Sequence, residues 1–459
     1  MTSGTNGTGR SRRPRRSTTR TVTGVVLLAA LALAGCDSKL NPFRTKDDPP
    51  LPGERIPVLE SDTALKPDPR LKDIDVALPK PRVNPEWPQA GGYPNHAMYH
   101  LALSANPSRA WSVNIGSGSS KSRRLIVQPV IGGGRIFAMD ARSRVSAYDA
   151  ASGSRQWQRS VLPRRDDEGD LGGGLAYDDR KVYVATGAAE VHALEAATGK
   201  EIWKVRVSAP MRAAPTVGGG RVFLVTVQNE LIALAVKDGK EIWRHTGIPE
   251  SAGFLGHASP AFSRGVLIVP HTSGEIYALR ADNGRRLWSD QIASIRRVTS
   301  VAKLTHIRGH PVIDEGRVYV VSHSGRLAAI ELRTGTRVWD VDVGALQTPW
   351  VAGDYVYILT NDGKLACIRR DNGRIKWSVA MLPYVEQKKQ KDPIFWVGPV
   401  LAGDRLIVSG SHGEAFAVSP YTGRVLGRLR LSEGVLIPPL IALSTLYILN
   451  DDGDLAAYR

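Results

Sequence analysis

Residues 327–339 read LAAIELRTGTRVW, and this stretch decides the fold because its pattern recurs along the chain. Each copy has an apolar residue, any residue, an alanine, a second apolar residue, four residues, a glycine, three residues and a tryptophan. Other full copies begin at residues 145, 191, 231, 276 and 365. A copy at 415–427 has Gly427 in place of tryptophan, and an eighth, at 455–459, is incomplete. Repeats of about 40–50 residues indicate a solenoid or a propeller.

A proline spacing indicates how the incomplete copy is finished. A proline precedes the tryptophan position by 28 residues in most copies, as Pro311 precedes Trp339. The last copy starts at Pro439, so its tryptophan would fall at position 467, beyond residue 459. The N-terminal Trp111 lies 18 residues before Pro129 and has the matching position. We therefore predict a closed ring whose structural tryptophans are Trp111, Trp157, Trp203, Trp243, Trp288, Trp339 and Trp377.

Each repeat predicts four short strands. In residues 311–339, the segments PVI, RVYVV, RLAAIEL and TRVW alternate with the turn dipeptides EG, SG and TG,. Eight such units predict an all-β, eight-bladed β-propeller of four-stranded antiparallel blades, closed by an N-terminal strand at residues 104–111. An open parallel β-solenoid is the alternative, but it does not explain a repeat that is split between the two ends of the chain.

The first 35 residues have the order of a lipoprotein signal peptide. Six arginines between Arg10 and Arg20 are followed by the short apolar run 25–34 and then by Leu33-Ala34-Gly35-Cys36. The apolar run is too short for a stable membrane span. Its ending resembles a bacterial lipobox, which implies cleavage before Cys36 and lipidation of that residue. A plain secretory signal with a chance cysteine is the alternative.

The remaining chain divides into a tether and a propeller. Residues 36–95, rich in proline and charge, predict a lipidated cysteine and a disordered tether, and 96–459 predict the propeller. Within 36–95, the aromatic segment that starts at residue 86 is expected to pack on the propeller as a lead-in. The formal charge of +17 falls to +11 without the arginines of 1–35, which favours acidic neighbours,. Cys367 takes the place of the repeated alanine and is expected in the core.

The whole pattern resembles the tryptophan-docking repeat of pyrroloquinoline quinone enzymes. With the lipobox and a single propeller, the chain resembles the BamB family, lipoproteins of the β-barrel assembly machinery. The long tether at 37–95 and the motif Trp87-Pro88-Gln89-Ala90-Gly91-Gly92 resemble its alphaproteobacterial members. The resemblance implies a non-enzymatic scaffold on the periplasmic face of the outer membrane. It also implies binding to the POTRA domains of BamA and to other Bam subunits, and help in inserting outer-membrane proteins. Asp37, after the lipidated cysteine, leaves inner-membrane anchoring open.

The same resemblance implies a docking site on the connections that precede two neighbouring repeats. The matching positions are Phe254, Leu255, His306 and Arg308. The family pattern has an arginine after the apolar pair and two acidic residues before the next proline. Here the arginine is absent and His306 and Arg308 replace the acids, so a partner needs rearranged charges. The connections are the most variable part of each repeat, and the longest are 289–310 and 378–398,.

Other functions have weaker support in the sequence. A quinoprotein dehydrogenase would need a vicinal cysteine pair, and the chain has only Cys36 and Cys367. The pairs His96–His100 and His306–His310 have helical ligand spacing in segments that do not read as helices, so we expect no metal, cofactor or catalytic residue. Nucleic acid and a small-molecule substrate are also not expected. An inner-membrane sensory or carbohydrate-binding propeller is the main alternative.

Overall fold

The computed structural model describes residues 65–162, 172–211, 213–248, 256–292 and 306–459. The described residues are almost entirely β-structure, with two 3₁₀ turns at Pro69–Leu71 and Gln387–Lys389. Eight four-stranded antiparallel sheets follow one another along the chain. This confirms the predicted eight-bladed β-propeller.

Seven blades are each built from consecutive strands. Blade 1 has Val130–Gly132, Arg135–Met139, Arg144–Asp149 and Arg155–Ser160; blade 2 has Gly173–Asp178, Lys181–Thr186, Glu190–Glu195 and Glu201–Arg206. Blade 3 has Thr216–Gly218, Arg221–Val225, Glu230–Ala235 and Glu241–Thr246; blade 4 has Ala261–Ser263, Val266–Pro270, Glu275–Arg280 and Arg286–Gln291. Blade 5 has Val312–Asp314, Arg317–Ser322, Arg326–Glu331 and Arg337–Val341; blade 6 has Trp350–Ala352, Tyr355–Leu359, Lys364–Arg369 and Ile375–Ala380. Blade 7 has Trp396–Ala402, Arg405–Gly410, Glu414–Val418 and Val425–Arg430.

Blade 8 joins the two ends of the propeller. Its first three strands are Leu440–Ala442, Thr445–Leu449 and Asp454–Tyr458, and its fourth is Arg109–Asn114. Trp111 lies opposite Ala457, just as Trp339 lies opposite Ala329 in blade 5. The predicted ring closure is therefore confirmed, although the closing strand runs from 109 to 114 and not from 104 to 111.

Each repeated tryptophan fastens its blade to the next one. The indole N–H of Trp243 donates to the carbonyl of Ala281 in blade 4 at 3.2 Å. A Cβ added to Gly284, which has φ +73°, would come 2.6 Å from the same ring. Glycine is thus required both for the left-handed turn and for the close approach of the indole. The equivalent pairs are Trp111–Gly153, Trp157–Gly199, Trp203–Gly239, Trp288–Gly335, Trp339–Gly373 and Trp377–Gly423.

Blade 7 lacks this tryptophan for a structural reason. A tryptophan at 427 would need a glycine turn between the third and fourth strands of blade 8. Those strands come from opposite ends of the propeller, so no continuous turn joins them. A Cβ added to Gly427 would have no atom within 4 Å. The position of Cys367 is as expected, since its side chain is fully buried beside Trp377.

Residues 84–101, which we call the belt, contact the innermost strand of every blade or its following turn. The belt lies at the end of the channel where the first strand of each blade turns into the second. Its contacts, from blade 8 through blades 1 to 7, are Asn84–Leu443, Trp87–Ile131, Pro88–Tyr177, Gln89–Val217, Pro94–Phe262, Asn95–Ile313, Tyr99–Trp350 and Leu101–Leu401. The chain therefore forms the propeller and also closes one end of its channel.

The N-terminal boundary of packed structure differs from the predicted tether at 36–95. From Leu65 onward the chain packs on the propeller, and Leu65, Leu71 and Val76 are buried. The backbone N–H of Asp68 donates to the carbonyl of Ile375 in blade 6 at 2.8 Å. These apolar residues are isolated from one another by prolines, and each packs separately against the propeller. The sequence of this segment therefore has no apolar periodicity from which its packing could be predicted. Residues 36–64, including Cys36, lie outside the described residues.

Candidate functional site

The central channel of the propeller forms a cavity of about 800 Å³. Belt residues Trp87, Ala90, Gly91 and His96 line it at the belt end. In an antiparallel four-stranded blade, the turn between the first and second strands lies at one end of the channel, and the connection to the next blade lies at the opposite end. The connections between blades therefore surround the end of the cavity away from the belt. We call this ring of connections the rim.

One wall of the cavity is polar and comes from the connections that precede blades 4 and 5. Arg308, His310 and His257 line it. Arg308 is partly buried, and a Cβ added to Gly256 would lie 3.4 Å from its Nε atom. Burial lowers the pKa of the guanidinium below its usual value. Within the described residues, Arg308 has no hydrogen bond or ion pair that offsets this burial.

Two histidines meet where the belt joins this wall. The rings of His96 and His310 lie 4.8 Å apart. Nδ1 of His96 lies 2.8 Å from the Pro311 carbonyl, so it carries the proton and leaves Nε2 as an acceptor,. Nδ1 of His310 accepts from the Ser259 N–H at 2.8 Å, so the His310 proton lies on Nε2,. Burial lowers the pKa of His96 to about 4 and that of His310 well below its usual value, so both rings are neutral near pH 7.

The predicted docking residues have different places in this structure. Arg308 lines the cavity, whereas His306 is buried with its ring edge-to-face against His257 at 4.9 Å. Its imidazole therefore belongs to the packing between the two connections and not to an exposed surface. Phe254 and Leu255 lie outside the described residues. The structure does bring the two connections together, since the His257–His306 and Ser259–His310 contacts join them.

The two His-x-x-x-His pairs do not converge as their spacing would suggest. Nδ1 of His100 donates to the Pro79 carbonyl and its Nε2 accepts from the Asp404 N–H, while His96 packs against His310 from the other pair. Within the described ranges, no group of three or more His, Cys, Asp or Glu side chains is arranged to hold a metal ion. None of the helical segments described has the length and apolar character of a membrane span.

A short hairpin projects from the rim in the connection before blade 7. Its strands are Tyr384–Glu386 and Lys391–Pro393. Among the apolar residues of this connection, Trp396 packs on Phe416 with ring centroids 4.8 Å apart. Phe395 and Val385, however, are 62% and 55% exposed. The hairpin therefore adds exposed apolar area to the rim, next to lysines, and alternation alone could not distinguish its buried from its exposed positions.

The comparison with protein-family models identifies the family of this chain. The model of the family described as "Outer membrane protein assembly factor BamB" matches residues 101–170 and 141–379. The chain belongs to the BamB family. The predicted resemblance is thus confirmed at the level of the family and of its propeller.

Relatives and solved structures give the extent of the BamB likeness. The outer membrane protein assembly factor BamB of Moranella endobia is 25% identical over 76% of this chain and 90% of its own length. The crystal structure of BamB from Moraxella catarrhalis superposes with a TM-score of 0.65 at 20% identity, over 77% of this chain and 99% of that one. A quinohemoprotein alcohol dehydrogenase from Comamonas testosteroni has a TM-score of 0.64 at 16% identity, over 82% of this chain and 80% of its own. At these identities the structural matches show the shared propeller fold only.

Proposed function

We propose that this BamB-family propeller is a non-enzymatic scaffold lipoprotein of the β-barrel assembly machinery. It would be anchored through Cys36 at the periplasmic face of the outer membrane. Its rim would bind the POTRA domains of BamA and so assist outer-membrane protein insertion. Support comes from the family match over residues 101–379 and from curated relatives named as outer membrane protein assembly factors. The chain also lacks the vicinal cysteines that a quinoprotein dehydrogenase would need.

The observation that carries the docking proposal is the meeting of two connections on the rim. The contact between His257 and His306, at 4.9 Å, fixes the connection before blade 4 against the connection before blade 5. Phe254 and Leu255 lie three and two residues before His257 in the sequence. Apolar residues next to a fixed contact between two connections suit an interface in which a few residues supply most of the binding free energy.

The test is a pull-down of cognate BamA POTRA domains with the full chain and two matched variants. Leu255→Asp places a charge in the proposed interface and should reduce retained BamA by at least about ten-fold, as expected for an interface anchor. Leu382→Asp makes the same change at an exposed leucine on another rim connection and should bind normally. Normal binding by Leu255→Asp, with loss in Leu382→Asp, would move the docking site to the hairpin before blade 7.

A further inference from the structure

Among the described residues, the cavity-lining Arg308 has no ion-pair partner. A partly buried guanidinium loses hydration, and an ion pair or hydrogen bonds normally offset this cost. Arg308 has neither within the described residues, although it lines a cavity of about 800 Å³. Arg124 lines the same cavity and interacts electrostatically with the Asp451 carboxylate, whereas no acidic side chain among the described residues acts on Arg308 in this way. Arg308 is thus a cavity-lining cation that can pair with a bound anion.

The groups beside Arg308 define the kind of anion. His310 lines the same wall, and its Nε2–H can donate to the same ligand. His96 and His310 are neutral, so they add no second positive charge beside Arg308. A phosphate, with a charge close to −2, would therefore keep an unpaired negative charge at this wall of the cavity. A carboxylate, with one charge and two acceptor oxygens, matches one guanidinium.

Much of the remaining lining is apolar, although Arg124, Asn361 and Asp362 also contribute to it. The apolar part comes from Leu346, Leu359, Ile437 and Trp396, with Trp87 and Trp350 at the belt end. The volume lies within the range of about 300–1,000 Å³ that is typical of small-molecule sites. We propose that the channel binds a carboxylate on an apolar or aromatic body, with Arg308 pairing with the carboxylate and the tryptophan-lined wall holding the body. The ligand could be a free small acid or the end of a polypeptide chain.

The binding test compares an acid with its uncharged amide. N-acetyl-phenylalanine and N-acetyl-phenylalanine amide are titrated into the full chain, and tryptophan fluorescence reports binding because three tryptophans line the cavity. The acid should bind about ten-fold more tightly than the amide, the size expected for one charged hydrogen-bonded pair. Tighter binding of the tripeptide Ala-Ala-Phe than of N-acetyl-phenylalanine would identify a chain end as the ligand, and weaker or equal binding a free acid.

Two cavity variants separate the role of Arg308 from general positive charge. Arg308→Gln should abolish the preference for the acid, whereas Arg124→Gln should retain it. Arg308→Gln should also melt at the same or a higher temperature without ligand, because it removes an uncompensated cation. Any one of four results would overturn the proposal. Two concern selectivity: equal binding of acid and amide, or equal competition by inorganic phosphate. The other two are no saturable binding at millimolar concentrations and a lower melting temperature of Arg308→Gln. The assay needs no BamA, so its outcome is independent of the docking test at Leu255.

Discussion

At the scale of single residues, the propeller depends on tryptophan–glycine pairs that link neighbouring blades. Gly284 and Gly265 both lie in blade 4 in the left-handed region, with φ +73° and +79°. A Cβ at Gly284 would meet Trp243 at 2.6 Å, whereas a Cβ at Gly265 would have no atom within 4 Å. The two glycines therefore share the same backbone requirement and differ in their contact with the indole.

This pair gives a matched test of the indole contact. Gly265→Ala should lower the free energy of unfolding by about 1–2 kcal/mol, the cost of an alanine in the left-handed region. Gly284→Ala should cost about 1–3 kcal/mol more, because the added methyl group displaces Trp243. Chemical denaturation measures both, and Trp243→Ala alone should cost about 3–5 kcal/mol. In the Trp243→Ala background the excess at Gly284 should vanish; an undiminished excess would mean that the turn, and not the indole, sets the cost.

The sequence predicted the structural tryptophans but not the separate environments of the residues in the connections, and the difference has a physical cause. The tryptophan positions could be predicted because the repeat places each one at a fixed distance from its glycine. Arg308 and His306 are only two residues apart, yet one lines the cavity and the other is buried against His257. An irregular connection has no period that assigns its side chains to a face, so the sequence could place these residues on the rim but could not separate their environments.

At the scale of elements, four-stranded blades could be predicted because their signals are local. Alternating apolar residues and turn glycines lie within about 40 residues of one another in each copy. The closing strand was also predictable, since the register of Trp111 against Ala457 repeats that of the other blades. The belt was not predictable in this way, because Asn84 donates to the carbonyl of Ile441, 357 residues away, and the belt contacts all eight blades over only 18 residues.

Blade 7 should be the weakest of the blades built from consecutive strands. Its outer strand, Val425–Arg430, has Gly427 where the others have an indole linked to the next blade. Hydrogen–deuterium exchange should therefore show faster exchange of its amides than of those in Glu241–Thr246, the equivalent strand of blade 3. Equal protection would show that the tryptophans do not govern how readily an outer strand opens.

At the scale of the whole molecule, two devices keep the ring closed. The strand Arg109–Asn114 completes blade 8 and removes an open sheet edge,. The belt then ties all eight inner strands together from the channel end, with Trp87 and Met98 each 1% exposed. Because one continuous segment contacts every blade, loss of the belt weakens all the blade interfaces together, while loss of the strand opens one blade.

Truncations distinguish these two contributions. A chain lacking residues 1–64 keeps both devices and is the reference. Removing residues 1–105 deletes the belt but keeps the closing strand, so the protein should stay soluble and lose the tryptophan-lined end of its cavity. It should also melt several degrees lower, because buried residues such as Trp87 contribute about 3–5 kcal/mol each. Removing residues 1–114 also exposes the edge of Asp454–Tyr458 and should cause aggregation. Equal melting of the first two chains would show that the belt only covers the channel, and that blade packing and the closing strand suffice to hold the ring.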